Sequence, residues 1–294
     1  MAISEVPDGS IAVGVDDSLH SDRALDWAAD IAAAEHRTLA VVHSESPMGP
    51  LYGVSSGMLA TDWPDLLASS RRAHAQVVAR AVARARHRRP ALDVRDVVDE
   101  VDPRVHLVTD SEHAHLMVLG TRGRGPVASL VLGSVSGTLV RSASCPVVVV
   151  RDLPDEADGL ERREIVIAVD GTADSLPVLE FGFDLASHVG RPVRVIHLLW
   201  TNLTVEAGVR SRVLLAETVA GLGEKFPDVT WTSTVLAGPL ADTIVDAMHD
   251  AALMVVGRHR TRTLDRLLYR STATTVLEHA PCPVAVVPVA ARGH

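Results

Sequence analysis

Lysine is all but absent from this chain: Lys225 is the only one, and the rest of the 28 basic residues are arginine. Against 37 acidic residues the formal charge is −9. Such a balance repels nucleic acid and anionic membrane surfaces, and excludes partners selected by bulk positive charge. Aromatic residues are nearly as scarce, at 3% of 294 residues, so any core is built from Val, Leu, Ile and Ala. That composition suits parallel strands buried under helices better than an aromatic-rich sandwich. Cysteine occurs twice, at Cys145 and Cys282, each opening a "CPV" before an apolar run. Neither has ligand or catalytic partners nearby in sequence, so both read as small buried hydrophobes. No stretch approaches the roughly 20 apolar residues of a membrane span. The opening "MAISEVPDGS" has neither the basic nor the apolar region of a signal peptide. The expectation is a soluble, cytoplasmic protein.

What the chain does have is itself, twice. "SIAVGVDDS" near residue 10 returns as "EIVIAVDGTADS" near 164, and "LAVVHSES" (39–46) as "VRVIHLLW" (193–200). "AHLMVLG" (114–120) returns as "AALMVVG" (251–257), and "ASCPVVVVR" (143–151) as "APCPVAVVP" (280–288). Asp16 and His43 recur 154 residues later as Asp170 and His197; Gly120 and Cys145 recur 137 later as Gly257 and Cys282. A period this long means two copies of a domain rather than a solenoid. The second copy is shorter mainly around the Gly/Pro/Ser-rich residues 46–70, which have no counterpart of equal length. The expected division is 1–151 and 164–294, joined by the Pro-, Gly- and charge-rich linker 152–163.

Within the first copy, Ile11–Val15, Leu39–His43, Val94–Val98, Leu116–Leu119 and Val147–Val150 read as buried strands. Between them, Leu25, Ala28, Ala29 and Ala32 fall on one helical face, as do Val77, Ala81 and Ala85. In the second copy Ser175 is placed to cap a helix that tolerates Pro177 in its first turn. Alternating strands and helices with apolar-run strands predict an α/β fold: two domains, each a five-stranded parallel sheet covered by helices on both faces.

In such a sheet ligands bind beyond the carboxyl ends of the strands. There the first copy runs "GTRGRGPVASLVLGSVS" (120–136). A glycine loop exposes backbone N–H groups and lets phosphate oxygens approach where a Cβ would clash. Gly133-Ser134 then opens a helix whose first amides are unpaired and whose dipole favours an anion. Hydroxyls at Ser134 and Ser136 add donors, while Arg122 and Arg124 are either phosphate partners or solvated loop arginines. These features point to a nucleotide phosphate chain held mostly by backbone.

The spacing Gly-x2-Gly-x9-Gly-Ser, after "LMVLG" and before "CPVVVV", resembles the nucleotide motif of the universal stress protein family. An Asp after the first strand and a His at the end of the second match too, and the resemblance covers both copies, as in tandem two-domain actinobacterial members. It implies Rossmann-like domains with strand order 3-2-1-4-5. It also implies an adenine nucleotide, ATP or a relative, with Mg²⁺ accompanying a triphosphate, and a homodimer. Carried over by position, Gly14 and Asp16 meet the nucleoside, and Asp16 also has a capping reading beside Asp17 and Ser18. Ser44 falls where backbone meets the adenine. Leu119 and Gly120 line base and ribose, and Gly123, Gly133, Ser134, Val135 and Ser136 surround the phosphates. His43 reads as a core histidine at a strand end.

The second copy departs from this pattern: Gly123 becomes Arg260 and Gly133 becomes Arg270, at unchanged spacing before Ser271. If those glycines have φ > 0, arginine there costs roughly 1–2 kcal/mol per position, and its side chain fills phosphate space. A rebuilt anion site is the alternative, since arginine itself binds phosphate. No catalytic residue and no metal ligand is assigned. His113 and His115, on a predicted helix, face different directions. A nucleotide-binding regulator of the stress response, with a protein partner that the sequence does not identify, is the expected function. A nucleotide-free scaffold is one alternative; a slow ATP hydrolase or adenylating enzyme, from the faint echo of ATP pyrophosphatases in "DGTADS" (170–175), is another.

Overall fold

The computed structural model describes residues 5–45, 63–121, 132–151, 163–169, 175–199, 205–237, 247–248, 251–259, 276–277 and 280–289. The described elements fall into two compact units. The first holds β1 (Ile11–Gly14), α1 (Leu19–Ala34), β2 (Leu39–Ser44), α2 (Trp63–Arg88), β3 (Val94–Asp99), α3 (Pro103–Asp110), β4 (Leu116–Gly120) and α4 (Ser134–Ser142). The second holds β5 (Val147–Val150), β6 (Glu164–Val169), α5 (Leu176–Val189), β7 (Val193–Leu199), α6 (Val205–Lys225), β8 (Trp231–Ala237), β9 (Ala251–His259) and β10 (Val284–Val289).

In the first unit the strand order is β3-β2-β1-β4, all parallel. β1, β2 and β4 are apolar along almost their whole length because both faces are covered, and Ile11, Leu39, Met117 and Val118 are fully buried. At the edge, β3 keeps only Val94 and Val97 inside and turns Arg95, Asp96 and Val98 to solvent, the charged edge that discourages further pairing. The helical stripes expected from periodicity are the packed ones. Leu25, Ala28, Ala29 and Ala32 are fully buried on α1, and Val77, Ala81 and Ala85 are buried on α2.

In the second unit the parallel order is β8-β7-β6-β9-β10, the full 3-2-1-4-5 arrangement. β5, the last strand of the first copy, belongs to this unit and pairs antiparallel with β10 through Val149↔Val284, Val148↔Ala285 and Val147↔Val286. The final strands of the two copies thus cover one another's edges, as their all-apolar sequences require.

Two local expectations are corrected. Ser175 stands at the start of α5 with Pro177 in the first turn, but its side chain makes no capping hydrogen bond. His113 and His115 are not helical, because α3 ends at Asp110 and residues 111–113 form a turn. Hydrogen bonds from Gly9 N to His113 O and from His115 N to Ser10 O, both 2.8 Å, draw that turn onto the strand leading into β1. Cys145 and Cys282 are free and buried, and burial pushes the Cys282 thiol up to about 12. No helix among the described residues is long and apolar enough to cross a membrane.

Candidate functional site

The parallel register brings the carboxyl ends of β1, β2 and β4 to one edge of the first unit: Gly14 pairs with Val42, and Val13 with Val118. Gly14, Ser44, Leu119 and Gly120 therefore end neighbouring strands, as the sequence pattern requires. Gly14 and Leu119 are in direct contact across the sheet, since a Cβ on Gly14 would lie 2.5 Å from Leu119 Cδ2. Just beyond β1, Asp16 accepts hydrogen bonds on Oδ1 from Ser18 N (3.1 Å) and Ser18 Oγ (2.6 Å). Ser18 in turn caps α1 by accepting from Ser21 N at 3.2 Å. The capping reading of Asp16 is thus realised through Ser18, while Asp16 Oδ2 makes no hydrogen bond among the described residues. Between them Asp17 adopts φ 67°, a left-handed conformation uncommon for a non-glycine residue. Ser44, the last residue of β2, donates its hydroxyl to Val101 O.

The glycine stretch is anchored at both feet. Gly133 N donates to Thr121 O at 2.9 Å, and Ser136 Oγ donates to Gly120 O at 2.7 Å. The Ser136 proton is therefore directed at the protein, and its contribution is to hold α4 against the end of β4. Gly123, Arg122 and Arg124 lie outside the described residues. The N-terminus of α4 has no side-chain cap among the described residues. Gly133 is the N-cap, makes no side-chain capping bond, and the first intrahelical bond runs from Gly137 N to Gly133 O. The amides of Ser134, Val135 and Ser136 precede that bond and have no acceptor within the helix. By contrast α1 and α3 are capped by Ser18 and Asp102. Three N–H groups at the positive end of a helix, with no capping side chain over them among the described residues, fit an anion.

The backbone also corrects the expected reason for glycine here. Gly133 has φ −57°, a value any residue adopts, so the left-handed penalty for arginine does not apply at its position. Gly120 is likewise absent from the positive-φ residues, and what it requires is space: a Cβ would lie 2.7 Å from the backbone carbonyl carbon and oxygen of His20. In the second copy β9 continues past Gly257 to His259, paired with β10 through Arg258 and His259, whereas β4 stops at Gly120. Asp170, Arg260, Arg270 and Ser271 lie outside the described residues.

One cluster was not legible as a site. His43 is buried at the end of β2, as expected of a core histidine, but His74 of α2 and Glu45 stand beside it. His74 occupies the same helical stripe as Val77, Ala81 and Ala85, and a histidine on an otherwise apolar stripe was the available signal.

The model of the universal stress protein family matches the chain twice, over residues 9–151 and 161–288. A universal stress protein of Mycobacterium tuberculosis is 32% identical, over 94% of this chain and 96% of its own length. A crystal structure of a universal stress protein from Archaeoglobus fulgidus superposes with a TM-score of 0.69 at 17% identity, covering 96% of this chain and 97% of that one. A shorter universal stress protein, solved in complex with cAMP, is 28% identical, covers 49% of this chain and 98% of its own, and has a TM-score of 0.37.

Proposed function

The chain belongs to the universal stress protein family, and we propose that its first copy binds one adenine nucleotide, ATP or a close relative, as a regulatory rather than a catalytic ligand. The N-terminus of α4, with no side-chain cap among the described residues, carries this reading. It offers three backbone donors beside the strand ends, where Gly14, Asp16, Ser44, Leu119 and Gly120 would hold the nucleoside. Charge-assisted bonds from Ser134, Val135 and Ser136 amides would bind phosphate oxygens, with Gly123 letting the chain approach and Mg²⁺ riding on the phosphates and water. Ser136 acts as a positioning residue through Gly120 O. Asp16 Oδ2 is available to a ribose hydroxyl without breaking the turn at Ser18. The nucleotide-bound protein, cytoplasmic and paired with a second copy of itself, would present a surface to a regulatory partner, with no part played by nucleic acid or membrane.

Gly133→Asp tests this directly. Aspartate is a better N-cap than glycine by about a few tenths of a kcal/mol, so it would leave α4 no less stable while covering the amides with a carboxylate. Loss of two phosphate bonds at about 1.5–3 kcal/mol each predicts at least ~100-fold weaker binding in a protein that is no less stable. Nucleotide released on denaturing the purified protein, and isothermal titration with ATP and Mg²⁺, give the comparison. No binding by the wild type, or equal binding by Gly133→Asp, would overturn the assignment and leave the scaffold reading.

A further inference from the structure

We propose that His43, Glu45 and His74 form a binding site for a divalent transition metal, best suited to zinc, in the first copy. One ligand atom from each lies within 4.8 Å of the other two. His74 Nε2 meets Glu45 Oε2 at 2.9 Å, and the two imidazole rings stand edge to face with centroids 5.1 Å apart. Ligands at about 2.0–2.1 Å from a tetrahedral zinc are roughly 3.3 Å from one another, so Glu45 and His74 would have to close on the anchored His43 from their present spread of up to 4.8 Å. Two imidazoles and one carboxylate are a ligand set that zinc accepts with its fourth position open.

His43 has the backbone partner that a metal-binding histidine needs. His43 Nδ1 lies 2.7 Å from Val15 O, a contact a ring N–H makes by donating to the carbonyl. That bond fixes the tautomer, orients the ring, and turns Nε2, with its lone pair, into the metal-binding nitrogen. His74 is 6% exposed, and its Nδ1 is buried without a hydrogen-bond partner among the described residues. With Nε2 on a metal the neutral ring carries its proton on Nδ1, and the ion would stand where Nε2 now meets Glu45. Ser70 Oγ, one turn earlier on α2, is 3.4 Å from His74 Nε2 and adds a further oxygen within reach. Glu45 keeps 36% of its side-chain surface exposed, which gives an ion its route in from solvent. Nearby, Glu100 is engaged by Arg71 at 2.6 and 3.2 Å, leaving Glu45 as the carboxylate of the cluster.

The second copy is an internal control. It keeps the buried histidine as His197, but Leu199 stands where Glu45 does, and α6 contains no histidine. A bound ion would therefore tie α2 to the end of β2 in the first copy alone.

The test uses the full chain freed of nucleotide, so that its outcome is independent of the phosphate site. Dialysis against Zn²⁺ alone, followed by metal counting, should give one zinc per chain, and Co²⁺ in its place should show the visible bands of a tetrahedral ion. Glu45→Gln and His74→Gln should each weaken binding by more than the roughly 100-fold expected of an outer-shell change. Circular dichroism would establish that both variants fold, and Glu45→Gln, at a half-exposed position, keeps the comparison available should His74→Gln not fold. Zinc should also raise the melting temperature of the wild type and not of Glu45→Gln. Failure of the wild type to retain zinc, or wild-type affinity in a folded Glu45→Gln or His74→Gln, would overturn the proposal.

Discussion

At Gly120 the missing Cβ would collide with the His20 carbonyl carbon and oxygen at 2.7 Å, and backbone cannot move aside as a side-chain tip can. Gly120 is thus needed by the packing of α1 on β4, whether or not a ligand is present. Gly120→Ala should destabilise the protein by about 1–3 kcal/mol, the range for overpacking. Urea denaturation of the nucleotide-free protein reads this; an unchanged midpoint would mean that α1 can withdraw. Gly133 gives the opposite case, with φ −57°, so its value lies in having no side chain to cap α4. The sequence offered the same letter at both places. Spacing located the motif, but the separate reasons for each glycine depend on neighbours far along the chain, His20 in one case and a helix terminus in the other. Asp16 is similar: its place after β1 was legible, whereas the bond to Ser18 that leaves Oδ2 available was not.

Among elements, the strands and the buried helical stripes were legible because burial on both faces forces continuous apolar runs in β1, β2 and β4. Helix ends were less so, because caps and tertiary hydrogen bonds decide them. The turn after α3 is an instance: the backbone of residues 9–10 takes hydrogen bonds with His113 and His115 that a longer helix would have needed. At the other end of α3, Asp102 caps Arg104 N at 2.8 Å and meets the Arg104 guanidinium. The Arg104 hydrogen bond, with the backbone amide and charge adding to it, holds the Asp102 carboxyl down from 3.8 to about 2. A depressed acid stabilises the fold above its unfolded pKa, and that stability fades as pH falls through the folded value. Asp102→Asn keeps the cap and removes the charge. The wild type should therefore exceed it by at most ~1 kcal/mol, since the pair is solvent-screened, with the gap steady above about pH 4 and closing towards pH 2. Urea titrations of both proteins across that range measure the gap; one that does not change with pH would refute the assignment.

For the molecule as a whole, the two copies share strand order but not chemistry. In the first copy β4 stops at Gly120 and α4 begins at a glycine with no side-chain cap among the described residues, with Gly133 N bonded to Thr121 O. In the second, β9 runs on through Gly257 to His259, paired with β10 over the residues that would otherwise begin a phosphate loop. The arginines at 260 and 270 replace two of the motif's glycines at unchanged spacing. Both differences act in the same direction, so a single nucleotide should bind per chain. The stoichiometry separates this from the alternatives. Titration of the wild type with ATP and Mg²⁺ should saturate at one per chain, and Gly133→Asp should abolish uptake rather than halve it. Saturation at two, with one site surviving in Gly133→Asp, would mean that the second copy has rebuilt an anion site around its arginines. Since arginine binds phosphate through side-chain donors rather than amides, that second site would be lost on Arg260→Gly and Arg270→Gly substitution, whereas the first would be unaffected.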